Sequence, residues 1–200
     1  MGLFRSLRWF MGWLEERPSW RAYFLIIGGI LACSAILAVA QYFVVLWLNI
    51  PGPEMTPEFE KFIKEILQAS AAERGLILLF TAGLEEFAFR LLPLFSAMFL
   101  FGWFRVTKPL IIVVLVVSAI AFGLIHLENF KFEEFGYLGV SGLVLLVLLN
   151  QGVSGFLYGS LFLKYCGLTH FKYSWGAFTT LVLMHNAWNM GALTIGKLIS

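Results

Sequence analysis

Long apolar runs constrain the fold of this chain more than any other feature of its sequence. A helix that crosses a hydrocarbon layer about 30 Å thick needs about 20 apolar residues. Five runs reach that length, over about residues 22–50, 75–101, 109–127, 137–163 and 174–199. The fourth run is long enough for one tilted helix, or for two short ones if it breaks at residues 150–152. The pattern therefore predicts five membrane crossings, with six as the alternative.

The composition agrees with a membrane protein. Of the 200 residues, 60% are hydrophobic and 13% are charged, whereas an average soluble domain is about 25% charged. One soluble core of this size could not bury so much apolar surface. We therefore predict an all-α, polytopic transmembrane helical bundle that forms a single membrane domain over residues 1–200. This excludes a soluble enzyme and a disordered linker, and the net charge of +2 gives no reason to expect a nucleic-acid partner.

Segments outside the runs are amphipathic. Residues 1–21 alternate arginines with large apolar side chains, which predicts a helix that lies at the membrane surface and not a cleavable signal. Residues 50–57 are rich in proline and predict a loop, and Thr56-Pro57 is typical of a helix start. Residues 128–136 predict another interfacial segment. If the fourth run crosses once, eight basic residues share the side of the N-terminus and five lie opposite, which favours a cytoplasmic N-terminus.

Ionisable side chains inside three of the apolar runs are chemically unexpected, and in the fifth run two amides accompany them. Each ionisable group at the centre of a bilayer costs roughly 2.5–3.5 kcal/mol on insertion scales, so such groups need compensation. These residues are Glu85, Glu86 and Arg90 in the second run, His126 at the end of the third, and His185, Asn186 and Asn189 in the fifth. They fall on three predicted helices.

In the second run, helical spacing separates the two neighbouring acids. Glu86 and Arg90 are four residues apart and can pair along their own helix. Glu85 points about 100° away from Glu86 and is left for another partner. Pro93 should kink or end the helix and open the backbone near these side chains.

The third and fifth runs can direct polar groups to the same place. Phe122 and His126 share one helical face, and so do His185 and Asn189. Each set alone is compatible with helix packing or with hydrogen bonds between helices. Together they predict an inner polar pocket built by three helices.

The three sets form ordered motifs. The second run carries E-E-x-x-x-R from Glu85, the third carries F-x-x-x-H ending at His126, and the fifth carries H-x-x-x-N from His185. In this order, each on an apolar helix, they resemble the motifs of the type II CAAX prenyl endopeptidases, also called the CPBP or Abi family of intramembrane glutamate proteases. The resemblance covers about residues 75–191 and suggests a catalytic core over residues 75–199.

The resemblance implies a role for each matching residue. Glu85 is expected to be the general base that activates a water, and His126 to hold and polarise that water. His185 and Asn189 are expected to line the oxyanion hole. The supporting members of the motifs are Glu86, Arg90 and Phe122. General chemistry fits these roles, because attack of water on an amide needs a base and donors to the developing oxyanion.

The implied activity is endopeptidase cleavage within the membrane, with no cofactor. Eukaryotic members of this family remove the last three residues of prenylated proteins, and bacterial members include bacteriocin immunity proteins. The expected partners are a peptide or protein substrate, with or without a lipid group, and membrane lipids. We expect the chain to cross a cell membrane several times, and the sequence favours a bacterial membrane.

Three other functions remain open at this point. Glu85, His126 and His185 could hold catalytic zinc in a membrane hydrolase. The same pocket could bind a peptide or partner without catalysis, as in an immunity factor or scaffold. Buried ionisable residues also mark ion routes in transporters, although the chain shows no internal repeat. A serine triad with an Asp is excluded, because all 12 acidic residues are Glu.

Overall fold

A computed structural model describes residues 2–47, 55–103, 108–131, 142, 144–145, 147–167 and 171–199. This part of the chain is helical and contains no β-strand, only an isolated antiparallel bridge between Met55 and Phe130. The α-helices are α1 (Gly2–Glu15), α2 (Trp20–Trp47), α3 (Pro57–Gln68), α4 (Ala71–Glu86), α5 (Leu92–Trp103), α6 (Pro109–Ile125), α7 (Val153–Cys166) and α8 (Ser174–Ile199). The prediction of an all-α fold is confirmed for these residues.

Short non-α turns join several of the helices. A first π segment (Phe87–Leu91) links α4 to α5, and a second π segment (Leu148–Gly152) leads into α7. Single 3₁₀ turns cover His126–Asn129 after α6 and Phe171–Tyr173 before α8. Most of the predicted interfacial segment at residues 128–136 lies outside the described residues, as does much of the first half of the fourth run.

Local sequence explains where α3 and α4 begin. The Thr56 hydroxyl accepts a hydrogen bond from the Phe59 N–H, and Pro57 occupies the first helical position, where its missing N–H costs nothing. Ser70 and Glu73 bond to each other's backbone N–H at the start of α4 and form a capping box. The helix start predicted at Thr56-Pro57 is therefore confirmed.

The second run forms one continuous helix with a π turn in its middle. The nitrogen of Pro93 carries no hydrogen, so the Phe89 carbonyl lacks its usual α-helical partner. The Ser118 hydroxyl of α6 donates a hydrogen bond to that carbonyl instead. The helix does not end at Pro93. Its free Phe89 carbonyl forms a hydrogen bond that joins this helix to α6.

The fourth run does not break at residues 150–152. The chain stays helical from Val147 to Cys166, with the second π segment at the position of the expected break. Glycines bring this helix close to α6. A Cβ at Gly123 would lie 3.1 Å from the Gly152 nitrogen, and one at Gly159 would collide with Leu115. The glycines at positions 152, 155 and 159 are three and four residues apart, a spacing typical of close helix packing, and this glycine-rich stretch (residues 152–160) is a packing seam.

Helix α1 packs on the end of α7. Leu14 is fully buried, and the rings of Phe10 and Phe156 stack with centroids 5.8 Å apart. The Lys164 ammonium donates a hydrogen bond to the Trp13 carbonyl. The apolar face of this predicted surface helix therefore packs against the rest of the protein, and its other face is exposed.

Contacts between chain segments distinguish two ends of the bundle. At one end, Arg17 donates to the Tyr165 carbonyl at 3.0 Å and Glu15 pairs with Lys108. At the other, the Thr56 N–H donates to the Asn129 carbonyl, also at 3.0 Å.

Two of the described helical stretches, Trp20–Gln41 and Pro109–Asn129, are long and apolar enough to span a membrane. Both carry large apolar side chains on their outer surface, among them Phe24, Leu25 and Val117. Such exposed apolar surface is expected of a protein that contacts lipid.

Candidate active site

The centre of the bundle contains a buried group of charged and polar side chains. Glu86 ends α4, Arg90 lies in the first π segment, and His185 lies near the middle of α8. All three are buried. The sequence predicts that these helices meet, and they do so through these residues.

Glu86 joins the other two members of the group. Its Oε1 lies 2.9 Å from Nδ1 of His185 and 3.4 Å from Nη1 of Arg90. A carboxylate can only accept, so the imidazole donates from Nδ1. The predicted Glu86–Arg90 pair is present, and the bond from Glu86 to His185 is an addition that helical spacing within one run could not indicate.

Arg90 is held on several sides. Its guanidinium carbon lies 3.8 Å from the centroid of the Phe122 ring, which is a cation–π contact between the first π segment and α6. Gly155 of α7 makes room for both groups. A Cβ there would lie 3.2 Å from Nη2 of Arg90 and 3.0 Å from the Phe122 ring. Phe122 is therefore a packing residue of the site, as its motif implies.

Glu85 lies beside this group and is more accessible than Glu86. Its side chain is 26% exposed, and its Oε2 lies 3.4 Å from Nε2 of His185. The His185 ring thus stands between the two carboxylates, with one nitrogen directed to each. The expectation that Glu85 takes a partner other than Arg90 agrees with this arrangement.

His126 follows α6 in a 3₁₀ turn and is partly buried. Its Nδ1 donates to the Phe122 carbonyl at 2.7 Å, which leaves Nε2 as an acceptor. The Phe122 ring lies 4.6 Å from the His126 ring and 6.1 Å from the His185 ring, measured between centroids. The Phe122 ring therefore contacts both imidazoles.

Asn189 lies one turn beyond His185 on α8 and is half-buried. Among the described residues it makes no hydrogen bond to the group around Glu86. The neighbouring Asn186 has a buried Oδ1 with no partner in the same part of the chain. The role that the resemblance implies for Asn189 stays a prediction.

Tyr158 of α7 belongs to this site and was missed from the sequence. Its buried ring lies 5.9 Å from the His185 ring and 6.0 Å from the Arg90 guanidinium. The available signal was a hydroxyl-bearing ring within the glycine-rich stretch, one turn from Gly155. The spacing of the glycines in that stretch indicates helix packing alone.

The group retains unused hydrogen-bonding capacity. Oε2 of Glu86 and both Nη atoms of Arg90 are buried without a hydrogen-bond partner among the described residues. Polar atoms buried in this way are uncommon and mark places where a ligand or water can bind. Within the described ranges, no three His, Cys or Glu side chains are arranged as ligands of a metal ion.

Comparison with known proteins yields no match: no family model, no curated protein and no solved structure is similar to this chain. The motifs and the geometry of the site are therefore the basis for a functional hypothesis.

Proposed function

We propose that this chain is a multi-pass membrane endopeptidase in which Glu85 activates a water for attack on a peptide bond, as the resemblance to type II CAAX prenyl endopeptidases implies. The observation that carries the proposal is the position of His185 between Glu85 and Glu86 in the middle of the helical bundle. Packing alone does not require two carboxylates, an arginine and an imidazole at one buried place.

The proposed topology has five crossings. Each of α2, α4–α5, α6, α7 and α8 runs between the two ends that the segment contacts define. The Arg17–Tyr165 bond belongs to one end and the Thr56–Asn129 bond to the other. In this arrangement α1 and α3 lie at opposite membrane surfaces, and the buried polar group lies between them within the hydrocarbon layer.

The proposed reaction begins at the accessible carboxylate. Glu85 takes a proton from a water while the water oxygen attacks the carbonyl carbon of the substrate and forms a tetrahedral intermediate. The carbon–nitrogen bond then breaks, and the proton passes from Glu85 to the leaving amine. Glu85 is thereby restored as a carboxylate, and the products are a new carboxyl terminus and a new amine.

Glu86 and Arg90 act as positioning residues in this scheme. The hydrogen bond to Glu86 fixes the His185 ring, so Nε2 is directed at Glu85. Arg90 places a positive charge 3.4 Å from the buried Glu86 side chain. The rings of Tyr158 and Phe122 pack against Arg90 and His185.

The remaining motif residues would position the water and donate to the oxyanion. His126 can receive a hydrogen of the attacking water at Nε2, because Nδ1 is engaged by the Phe122 carbonyl. Both nitrogens of His185 lie near carboxylates, so its Nε2 reaches an oxyanion only by turning from Glu85. The amide of Asn189 is therefore the donor that the geometry leaves most available.

Mass spectrometry of peptides released from native membranes tests the proposal. The comparison is between the unmodified protein, Glu85→Gln and the matched control Glu128→Gln, which changes an exposed acid by the same chemistry. Products present with the unmodified protein and the control, and absent with Glu85→Gln, are expected. Asn189→Ala should reduce product formation by roughly 10²–10³.

Identical peptide sets from all three folded proteins would contradict the proposal. They would support the alternative in which the site binds a peptide or partner without cleaving it.

A further inference from the structure

A second polar site lies beside His126, toward the end of the bundle that contains α3. It is a cavity of about 160 Å³ between α2, the second π segment and the turn after α6. Its polar lining consists of Gln41, Asn129, Asn150, Gln151 and His126. We propose that this cavity, here called the amide vestibule, binds the main chain of an extended peptide substrate. This inference rests on the proposed function and assigns it a substrate-binding region.

The hydrogen-bonding groups of the vestibule lining match those of a peptide main chain. The amide groups of Gln41 and Asn150 bond to each other at 2.6 Å, from helices 109 positions apart in sequence. Whichever way the two amides are oriented, that bond leaves the pair with one donor group and one acceptor. Gln151 and Asn129 add further amide groups. A peptide main chain offers the same pattern of donors and acceptors to its partners.

The charge of the vestibule lining favours a neutral ligand. Apart from His126, no ionisable side chain lines the vestibule among the described residues. The remaining walls are apolar and include Phe59 and Val147. A neutral ligand with alternating polar backbone and apolar side chains fits such a lining, whereas a phosphate or a charged headgroup finds no fixed charge to pair with.

The vestibule lies next to the cleft that contains His185. Gln151 lines the vestibule and also a smaller cleft of about 10 Å³ that contains His185, Phe122 and Tyr158. That cleft has room for about one water, whereas the vestibule is several times larger yet below the size of pockets for drug-sized ligands, about 300–1,000 Å³. A short stretch of chain in the vestibule would therefore place its next peptide bond beside His126, on the side of the cleft that contains His185.

Binding of a defined peptide tests the proposal without requiring turnover. The protein is the full chain with Glu85→Gln, reconstituted in nanodiscs. The probe is a fluorescent octapeptide of alternating alanine and leucine, compared with an analogue in which two central amides are replaced by esters. Gln41→Met and Asn150→Leu remove the amide groups at similar volume. Thr179→Val is the matched control, since Thr179 is exposed and its hydroxyl donates to the Trp175 carbonyl of the same helix.

We expect Gln41→Met combined with Asn150→Leu to weaken binding of the amide peptide by about tenfold, and Thr179→Val to leave it unchanged. The ester analogue should bind more weakly than the amide peptide to the unaltered vestibule and equally to the doubly substituted one. If the double variant does not fold, the comparison of amide and ester peptides on the unaltered vestibule decides.

Equal binding of the two peptides to the unaltered vestibule would overturn the proposal, and so would equal binding of the amide peptide to the folded double variant. The vestibule would then hold solvent only. Because the assay measures binding in a Glu85→Gln protein, absence of peptidase activity would leave a positive result intact. Absence of selective binding would likewise leave the peptidase test unaffected.

Discussion

Two Glu–cation pairs with the same helical spacing differ in almost every other respect. Glu60 and Lys64 on α3 lie 2.6 Å apart, and their side chains are 51% and 66% exposed. Glu86 and Arg90 lie 3.4 Å apart, and their side chains are 0% and 2% exposed. The shorter contact therefore belongs to the solvent-exposed pair. Burial, and not distance, therefore decides how much such a pair contributes to stability.

The physical reason is the cost of leaving one charge without its partner. A charge released at the surface is solvated at once, so exposed pairs contribute little. A charge released inside the bundle stays in a medium of low polarity, and removing its partner typically costs about 3–5 kcal/mol. The buried pair also bonds to His185 and contacts Phe122, whereas the exposed pair is formed within α3.

The largest expected effect comes from removing Arg90. Arg90→Met leaves Glu86 buried without a cation, and we expect a loss of about 3–5 kcal/mol in the free energy of unfolding. Thermal unfolding of the purified protein in detergent measures the change. Lys64→Met is the matched control on the exposed pair and should leave the unfolding midpoint unchanged.

Arg90→Lys sharpens the same comparison. It keeps the charge but lacks the planar group that lies on the Phe122 ring, so it should recover only part of the loss. Equal midpoints for Arg90→Met and Lys64→Met would show that burial does not separate the two pairs.

The next effect in size concerns the space around the buried pair. Gly155→Ala introduces a Cβ about 3 Å from Phe122 and Arg90, and overpacking of this kind costs about 1–3 kcal/mol. Gly83→Ala on α4 is the control, because nothing lies within 4 Å of its Cβ position. Unfolding measurements on the two variants should show a loss for the first alone. A loss of equal size for both would remove the close contact as the explanation.

A smaller effect is expected at the first π segment. Ser118→Ala removes the donor to the Phe89 carbonyl and should cost about 1–2 kcal/mol, because Pro93 offers that carbonyl no N–H. In a Pro93→Ala background the backbone N–H returns, and the same serine substitution should cost less. A double-mutant cycle of unfolding free energies measures this coupling, and additive costs would argue against it.

The smallest effect is a change of pKa at the exposed pair. The hydrogen bond from Lys64 holds the pKa of Glu60 below its ordinary value of 4.5. Whatever stability the bond contributes is present above pH 4.5 and is lost as the pH falls through the lowered pKa. Lys64→Met should return the pKa of Glu60 toward 4.5, which carboxyl NMR titration can measure. An unchanged pKa would show that the bond is not formed in solution.

Local features of the fold could be predicted from the sequence because their causes are local. The start of α3 follows from Thr56-Pro57, and the Glu86–Arg90 pair follows from a spacing of four. The run at residues 174–199 coincides with α8. The glycine-rich seam between α6 and α7 follows from small residues at helical spacing.

Contacts between distant segments could not be predicted in the same way. The Glu86–His185 bond joins residues 99 positions apart, and the Gln41–Asn150 bond joins residues 109 apart. No periodicity within one run indicates which face of another helix will meet it. For the same reason the docking of α1 on α7 and the contribution of Tyr158 were not found from the sequence.

The central claim is that two adjacent carboxylates have separate tasks, with Glu86 holding the site together and Glu85 available for reaction. The most direct measurement is the thermal unfolding midpoint of Glu85→Gln and of Glu86→Gln in the same detergent. We expect Glu86→Gln to lower the midpoint about as much as Arg90→Met, and Glu85→Gln to match the unmodified protein or exceed it. An equal loss for both variants would contradict the claim and assign Glu85 a structural role.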